Sequence, residues 1–202
     1  MKKYLILLSL LISSCNKTNQ DYSENLILGS PEIQLVTDKQ LDTIKILMNA
    51  NKIDYSNLQF WQYANMGAAI YISAYQYVNG LKVFTDGISF WQKKSEISIE
   101  INGDRIKNID VTNLHLMIPR DVKSIFLNMV ANDEIMKKAN IEVGSNVDLE
   151  FGYYNLNVHD ITLPKSFTTA WRVTPKDKIY PWAYINDQNG DILEYWDGIC
   201  AK

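Results

Sequence analysis

The sequence predicts an α+β fold, in which an antiparallel sheet carries two main helices packed on one of its faces. Two segments with helical spacing of apolar residues are each followed by a group of short β-prone runs separated by glycine turns. One helix for each group of antiparallel strands is typical of α+β domains and not of a doubly wound parallel sheet. The order helix, strands, helix, strands also predicts two loosely repeated helix-plus-meander halves.

The first helix is predicted at about 38–50. Thr37-Asp38-Lys39-Gln40 has the capping-box pattern, and Asn51 marks the end of the helix. The second helix is predicted at about 120–131, with Pro119 at its start and a short continuation over 133–139. The apolar stripes that predict these helices are Leu41, Ile44, Leu47 and Met48 in the first and Val122, Ile125, Phe126 and Met129 in the second.

The strands are predicted from β-prone runs and from the turns between them. Asn79-Gly80 is a strong hairpin signal because both residues accept positive φ, and Asp86-Gly87 and Asn102-Gly103 predict two further turns. The predicted strands of the first half are 58–63, 68–78, 81–84, 88–92, 97–101 and 106–111. Those of the second half are 147–154, 169–174, 180–185 and 192–196, with the last hairpin turning at 186–190.

The amino terminus has the three parts of a secretory signal. Lys2 and Lys3 precede a nine-residue apolar stretch that is shorter than the roughly 20 residues a bilayer span requires. Ile12-Ser13-Ser14-Cys15 then resembles the lipobox of bacterial lipoproteins. The resemblance implies cleavage before Cys15, diacylglycerol on its sulfur and a further acyl chain such as palmitate on the new amino terminus. Two or more chains anchor a protein stably in a membrane.

The predicted organisation is therefore a signal peptide at 1–14, a lipidated cysteine and flexible tether at 15–30, and one α+β domain at 31–202. Residues 16–25 are polar and have no hydrophobic period, as expected of a tether. No acidic cluster of the kind that directs some Bacteroidetes-like lipoproteins to the cell surface follows Cys15, which favours the periplasmic side of the outer membrane.

Composition narrows the classes of function. A formal net charge of −3 without a basic run argues against nucleic-acid binding, which depends on contacts to phosphates. With Cys15 acylated, Cys200 is the one remaining cysteine, so no disulfide can form within the chain. His115 and His159 have no metal-ligand spacing, and the sequence lacks nucleophile elbows and phosphate-binding loops. We therefore expect no cofactor, no metal and no catalytic residue of these kinds.

Aromatic residues give the main candidate for a binding surface. Trp182 and Tyr184 share one side of a strand, Tyr195 or Trp196 can reach them across the last hairpin, and Trp171 lies on the neighbouring strand. The candidates Trp171, Trp182, Tyr184 and Trp196 form either cross-strand core packing or an exposed platform for sugar rings or a protein partner. In each of the pairs Phe60-Trp61 and Phe90-Trp91, one ring faces inward and the other outward.

Residues 171–196 resemble the closing hairpin of PepSY and thermolysin-propeptide-like domains. The resemblance is carried by Trp171-Arg172-Val173, by Tyr180-Pro181-Trp182-Ala183-Tyr184-Ile185 and by Asn189-Gly190-Asp191-Ile192-Leu193. Residues 75–84, which read Tyr-Gln-Tyr-Val-Asn-Gly-Leu-Lys-Val-Phe, resemble a second hairpin of those domains. The resemblance implies a module that inhibits or chaperones a secreted protease, which must act in trans because no protease domain follows in this chain. The layout also resembles small lipoproteins of Flavobacteria-like bacteria.

Three classes of function remain open. The first is a non-enzymatic binding or protease-inhibitory module of the cell envelope, held at the membrane by lipid on Cys15. The second is a structural envelope protein without a discrete ligand. The third is a glycan hydrolase that uses carboxylates, for which Asp148 and Glu150, on one face of a predicted strand, are the candidates.

Overall fold

The computed structural model describes residues 36–111 and 116–199. Three helices occur there: α1 (Asp38–Ala50), α2 (Pro119–Asn132) and α3 (Glu134–Lys138). The strands are β1 (Leu58–Asn65), β2 (Ala69–Val78), β3 (Leu81–Lys93), β4 (Glu100–Asn102), β5 (Val147–Asn155), β6 (Phe167–Pro175), β7 (Trp182–Asn186) and β8 (Ile192–Trp196). The predicted signal peptide, Cys15, the tether, His115 and Cys200 lie outside the described residues.

The eight described strands form one mostly antiparallel sheet in the order β1-β2-β3-β5-β6-β7-β8, with β4 paired to part of β3. The α+β prediction is confirmed. Its two halves are α1 with β1–β4 and α2–α3 with β5–β8. They join where β3 and β5 run parallel, through the pairs Lys82 with Gly152 and Val83 with Tyr153. We call these four residues the waist.

The three helices pack on the same face of the sheet. Helix α1 buries Ile44 and Met48 against Ile72 and Phe90 of the first half. Helices α2 and α3 cover a second cluster that includes Phe126, Trp171, Val173 and Ile185. Side chains on alternate positions of a strand share a face, so strand register connects the two clusters through Val83, Tyr153 and Phe151. Each half of the sheet thus has its own core on one side.

The helix boundaries follow from local chemistry. Thr37 caps the start of helix α1. Its hydroxyl accepts a hydrogen bond from the backbone N–H of Gln40 at 3.3 Å, and the side-chain oxygen of Gln40 accepts one from the backbone N–H of Thr37 at 2.8 Å. The predicted capping box is confirmed. Helix α2 has Pro119 in its first turn, where the missing N–H is not needed. Asp133 caps α3 and accepts a hydrogen bond from the Tyr195 hydroxyl at 2.7 Å, which fixes α3 over the last strand.

The predicted turn at Asp86-Gly87 was wrong. Strand β3 runs without a break from 81 to 93. Its residues 84–87 have no paired partner on β2 and form an irregularity opposite Tyr75. The reason is Gln76, which is fully buried. Its amide donates to the carbonyl oxygens of Asp86 and Asp104 at 3.0 and 2.8 Å, and its carbonyl oxygen accepts from the Ile106 N–H at 3.0 Å. These bonds satisfy the Asp86 carbonyl, which the irregularity leaves outside the β ladder, and two backbone groups of the segment after β4.

Two predicted strands after β3 also differ from the structure. The strand predicted at 97–101 is reduced to the three residues of β4, and Ile97 is exposed. The segment predicted as a strand at 106–111 is irregular, yet Ile106 and Ile109 are buried beside the waist. Within the described ranges, no helix combines the length and hydropathy that a membrane span requires.

Candidate functional site

The side of the sheet opposite the helices carries an unusual number of aromatic rings. No helix of residues 36–111 or 116–199 packs on this side, which we call the helix-free face. Antiparallel sheets with one solvated face usually show polar side chains there. Strand register and ring contacts instead place ten aromatic residues on the helix-free face: Trp61, Tyr71, Tyr75, Tyr77, Phe84, Trp91, Tyr154, Trp182, Tyr184 and Trp196.

In the first half, the rings lie on β1, β2 and β3. A bulge in β1 between Phe60 and Gln62 places Trp61 on the helix-free face, where it stacks on Tyr75 with centroids 5.6 Å apart and planes at 23°. Tyr71 and Trp91 form an edge contact at 6.4 Å. Most of these rings are partly exposed, so they present flat apolar surface to solvent. Such rings are enriched at protein interfaces.

Four rings form a second cluster over the waist and the second half. Tyr184 is at its centre, with centroid distances of 5.1 Å to Phe84, 5.1 Å to Tyr154 and 5.3 Å to Trp182. Gly152 makes this packing possible. A Cβ atom built on it would lie 2.4 Å from the Lys82 carbonyl oxygen and 2.7 Å from the Phe84 ring. Only glycine therefore allows the two halves to approach so closely at this position.

An ion-paired group lies between the two ring clusters. The ammonium of Lys82 lies 3.3 Å from a carboxylate oxygen of Glu150 and 3.7 Å from the centroid of the Tyr75 ring. The Arg172 guanidinium is 3.9 Å from Glu150, and its Nε is buried without a hydrogen-bond partner among the described residues. Two cations thus share one carboxylate in the middle of the aromatic surface.

Burial perturbs the titration of Lys82 and of two neighbouring tyrosines. It lowers the pKa of Lys82, an effect that Glu150 opposes and Arg172 reinforces. Burial raises the pKa of Tyr184 to about 12, although Arg172 acts in the opposite direction. Burial also raises the pKa of Tyr154, and Glu194, which accepts a hydrogen bond from its hydroxyl at 3.0 Å, raises it further. The hydroxyls of Tyr154 and Tyr184 are therefore neutral hydrogen-bond donors at physiological pH.

The structure brings together three of the four aromatic residues predicted from the sequence. Trp182, Tyr184 and Trp196 lie on the helix-free face, and Trp196 is 47% exposed. Trp171 lies on the opposite face in the core beneath α2, where its indole N–H donates to Asp187 at 2.7 Å. The separation has a simple cause. Trp171 precedes Arg172, which pairs with Tyr184 across the β6–β7 ladder, so the two neighbours point to opposite faces.

The carboxylates considered for glycan hydrolysis are both ion-paired. Asp148 is 3.7 Å from the Lys176 ammonium, and Glu150 belongs to the group with Lys82 and Arg172. His159 is exposed in the loop between β5 and β6. No set of three or more potential metal ligands is assembled in the described part of the chain.

The sequence had signals for the rings that were not singled out as site residues. Tyr71, Tyr75 and Tyr77 alternate with the buried positions of β2, and the structure confirms that Trp61 and Trp91 face away from their inward neighbours. The central group was missed. Lys82, Glu150 and Arg172 come from three strands, and only the parallel β3–β5 junction brings them together.

Comparison with known proteins gives little further guidance. No protein-family model matches the chain, and a search of curated proteins found no match. Among solved structures, the chain is similar to the C-terminal domain of YpeB from Bacillus megaterium, with a TM-score of 0.42 and 10% sequence identity. The similarity covers 90% of this chain and 66% of that chain. At this level, the match has no bearing on function.

Proposed function

We propose that this chain is a non-enzymatic, lipid-anchored module of the bacterial cell envelope that binds a protein partner through its helix-free face. The observation that carries the proposal is the concentration of partly exposed tryptophan and tyrosine rings around a central arginine, on a face that no described helix covers. Tryptophan, tyrosine and arginine are the residues most enriched at the energetic centres of protein interfaces.

The central charges favour a protein partner over a purely apolar one. Lys82 and Arg172 share the carboxylate of Glu150, and the buried Nε of Arg172 has no hydrogen-bond partner among the described residues. Covering this group with another protein removes water, and an acidic or hydrogen-bonding group of the partner is then needed to compensate. A secreted protease is the partner class that the resemblance of residues 171–196 and 75–84 to PepSY-type hairpins implies.

Photo-crosslinking in living cells tests the binding face. A photoreactive phenylalanine analogue replaces Tyr71 or Trp182 on the helix-free face and, as the control, Ile46, which is 68% exposed on α1. We expect adducts of one common mass from the two sheet positions and none of that mass from position 46. Mass spectrometry of the adduct then identifies the partner and shows whether it is a protease.

Two outcomes contradict the proposal. Adducts that form equally from all three positions indicate nonspecific proximity. The absence of protein adducts, together with binding of purified envelope glycans that is lost in Trp182→Ala, assigns the face to sugars instead.

The proposed anchor is tested separately. The lipobox-like Ile12-Ser13-Ser14-Cys15 supports acylation of Cys15. We expect metabolic labelling with a tagged fatty acid to mark the wild-type protein and not Cys15→Ser, which should accumulate as an unprocessed precursor. Equal labelling of the two proteins would exclude Cys15 as the acylated residue.

A further inference from the structure

The loop between β5 and β6 presents three apolar side chains to solvent. Leu156, Ile161 and Leu163 are 48%, 97% and 50% exposed. Single exposed apolar residues are common on protein surfaces and need no explanation. Three on one short loop form a local apolar surface of the kind that contacts a partner or a membrane.

Hydrogen bonds hold this loop in a defined conformation. The Asn155 side-chain oxygen accepts from the backbone N–H groups of Asn157 and Ser166, both at 3.1 Å. The Asn157 amide donates to the Pro164 carbonyl oxygen at 2.7 Å across the loop. The loop backbone is therefore ordered before any contact is made, and little conformational entropy is lost when its apolar side chains bind.

Asp160 is the only charged residue between Leu156 and Pro164. Its carboxylate accepts hydrogen bonds from the N–H and the hydroxyl of Thr162, at 3.0 and 2.6 Å. These bonds direct the charge back toward the loop backbone. Lys165, at the base of the loop, is paired with Asp86. Ile161 and Leu163 are thus the exposed apolar side chains at the tip of the loop, and the charged side chains of Asp160 and Lys165 have polar partners.

The loop leaves the sheet in the direction in which helix α1 lies from the waist. Helix α1 packs over Ile72 and Phe90, which lie beyond Val83 in the direction in which β3 runs. Because β5 runs parallel to β3 and ends in the loop, the loop and the part of the sheet that α1 covers lie in the same direction from the waist.

We propose that this loop is a membrane contact, in which Ile161 and Leu163 enter the boundary between lipid headgroups and acyl chains. The inference rests on the proposed lipid anchor at Cys15. Residues 16–35 separate Cys15 from Val36 and span at most about 70 Å when fully extended, which keeps the domain close to the bilayer. A weak apolar contact is sufficient there because the tether makes it intramolecular. The contact orients the domain relative to the membrane.

Spin labels on the full chain in isolated cell membranes test this contact. With Cys200→Ser as the background, Ile161→Cys carries the label in one protein and Ile46→Cys in the matched control. Oxygen concentrates in the acyl region of a bilayer, whereas a charged nickel complex stays in water. We expect the ratio of oxygen to nickel collisions to be several-fold higher at position 161 than at position 46.

The other outcomes overturn the inference in distinguishable ways. Equal ratios at the two positions in membrane-bound protein place the loop in water. This result would contradict the loop contact and leave the proposed lipid anchor supported. Few collisions with either reagent at position 161 show that a protein covers the loop instead. Recovery of the chain in the soluble fraction would contradict both the proposed lipid anchor and the loop contact.

Discussion

The close approach of the two halves at the waist makes Gly152→Ala the most informative single substitution for the fold. The added Cβ would lie 2.4 Å from the carbonyl oxygen of Lys82, where ordinary contact requires about 3.4 Å or more. The Phe84 ring, at 2.7 Å, can rotate away, but the carbonyl belongs to the backbone of β3. Strands β3 and β5 must therefore move apart by about 1 Å.

The cost can be estimated from the structure. Overpacking of this kind destabilises by about 1–3 kcal/mol, and a weakened strand junction adds about 1 kcal/mol for each hydrogen bond lost. The parallel junction pairs only two residues of each strand, so a separation of this size affects the whole ladder between β3 and β5. We expect the free energy of unfolding, measured by urea titration, to fall by about 3 kcal/mol. The near-ultraviolet circular dichroism of the Tyr184 cluster should change as well.

Gly144→Ala provides the matched control. A Cβ at this position meets no atom within 4 Å, and the backbone there is not left-handed. The substitution restricts the unfolded chain, so stability should stay the same or rise by up to about 1 kcal/mol. Equal effects of the two substitutions would refute the argument that the halves meet through direct backbone contact at Gly152.

Three further predictions concern other parts of the chain. Asp187→Ala should lower the free energy of unfolding in urea by about 3–5 kcal/mol, because the buried indole N–H of Trp171 and two backbone N–H groups lose their acceptor, whereas exposed Asp177→Ala should change it little. Burial raises the pKa of Tyr184 in the folded protein to about 12, above its usual 10, so its contribution to the free energy of unfolding is complete below pH 10 and is lost as pH rises toward 12. Between pH 9 and 11, the free energy of unfolding of the wild type should fall by about 1 kcal/mol more than that of Tyr184→Phe, and an equal fall in the two proteins would contradict this. Because burial opposes its charge, Lys82→Met should leave the melting temperature unchanged or raise it, whereas Glu150→Gln should lower it.

The sequence predicted the elements that depend on local chemistry. Helix α1 was placed at its observed bounds by its capping box and apolar stripe. Asn79 and Gly80 have the positive φ values that their hairpin signal required. The pairs Phe60-Trp61 and Phe90-Trp91 each have one ring inward and one outward, as predicted, because side chains in a strand have a period of two.

What the sequence did not predict depends on contacts between distant residues. The turn at Asp86-Gly87 was replaced by a continuous strand because Gln76, on the neighbouring strand, binds the irregular backbone. The group of Lys82, Glu150 and Arg172 exists because β3 and β5 pair in parallel, a junction that no local pattern indicates. Trp171 and Trp182 lie on opposite faces of the sheet. The register of β6 against β7 decides this, and the sequence alone does not indicate that register.

The central claim is that a partner covers the helix-free face in the cell. Hydroxyl-radical footprinting, read by mass spectrometry, compares oxidation of Trp61, Trp91 and Trp182 in intact cells with oxidation in the purified protein. Met66, which is 55% exposed in the β1–β2 turn, is the internal reference for radical dose. We expect the three tryptophans to be oxidised several-fold less in cells, relative to Met66. Equal relative oxidation in cells and in the purified protein would show that no partner covers the helix-free face and would contradict the proposed binding function.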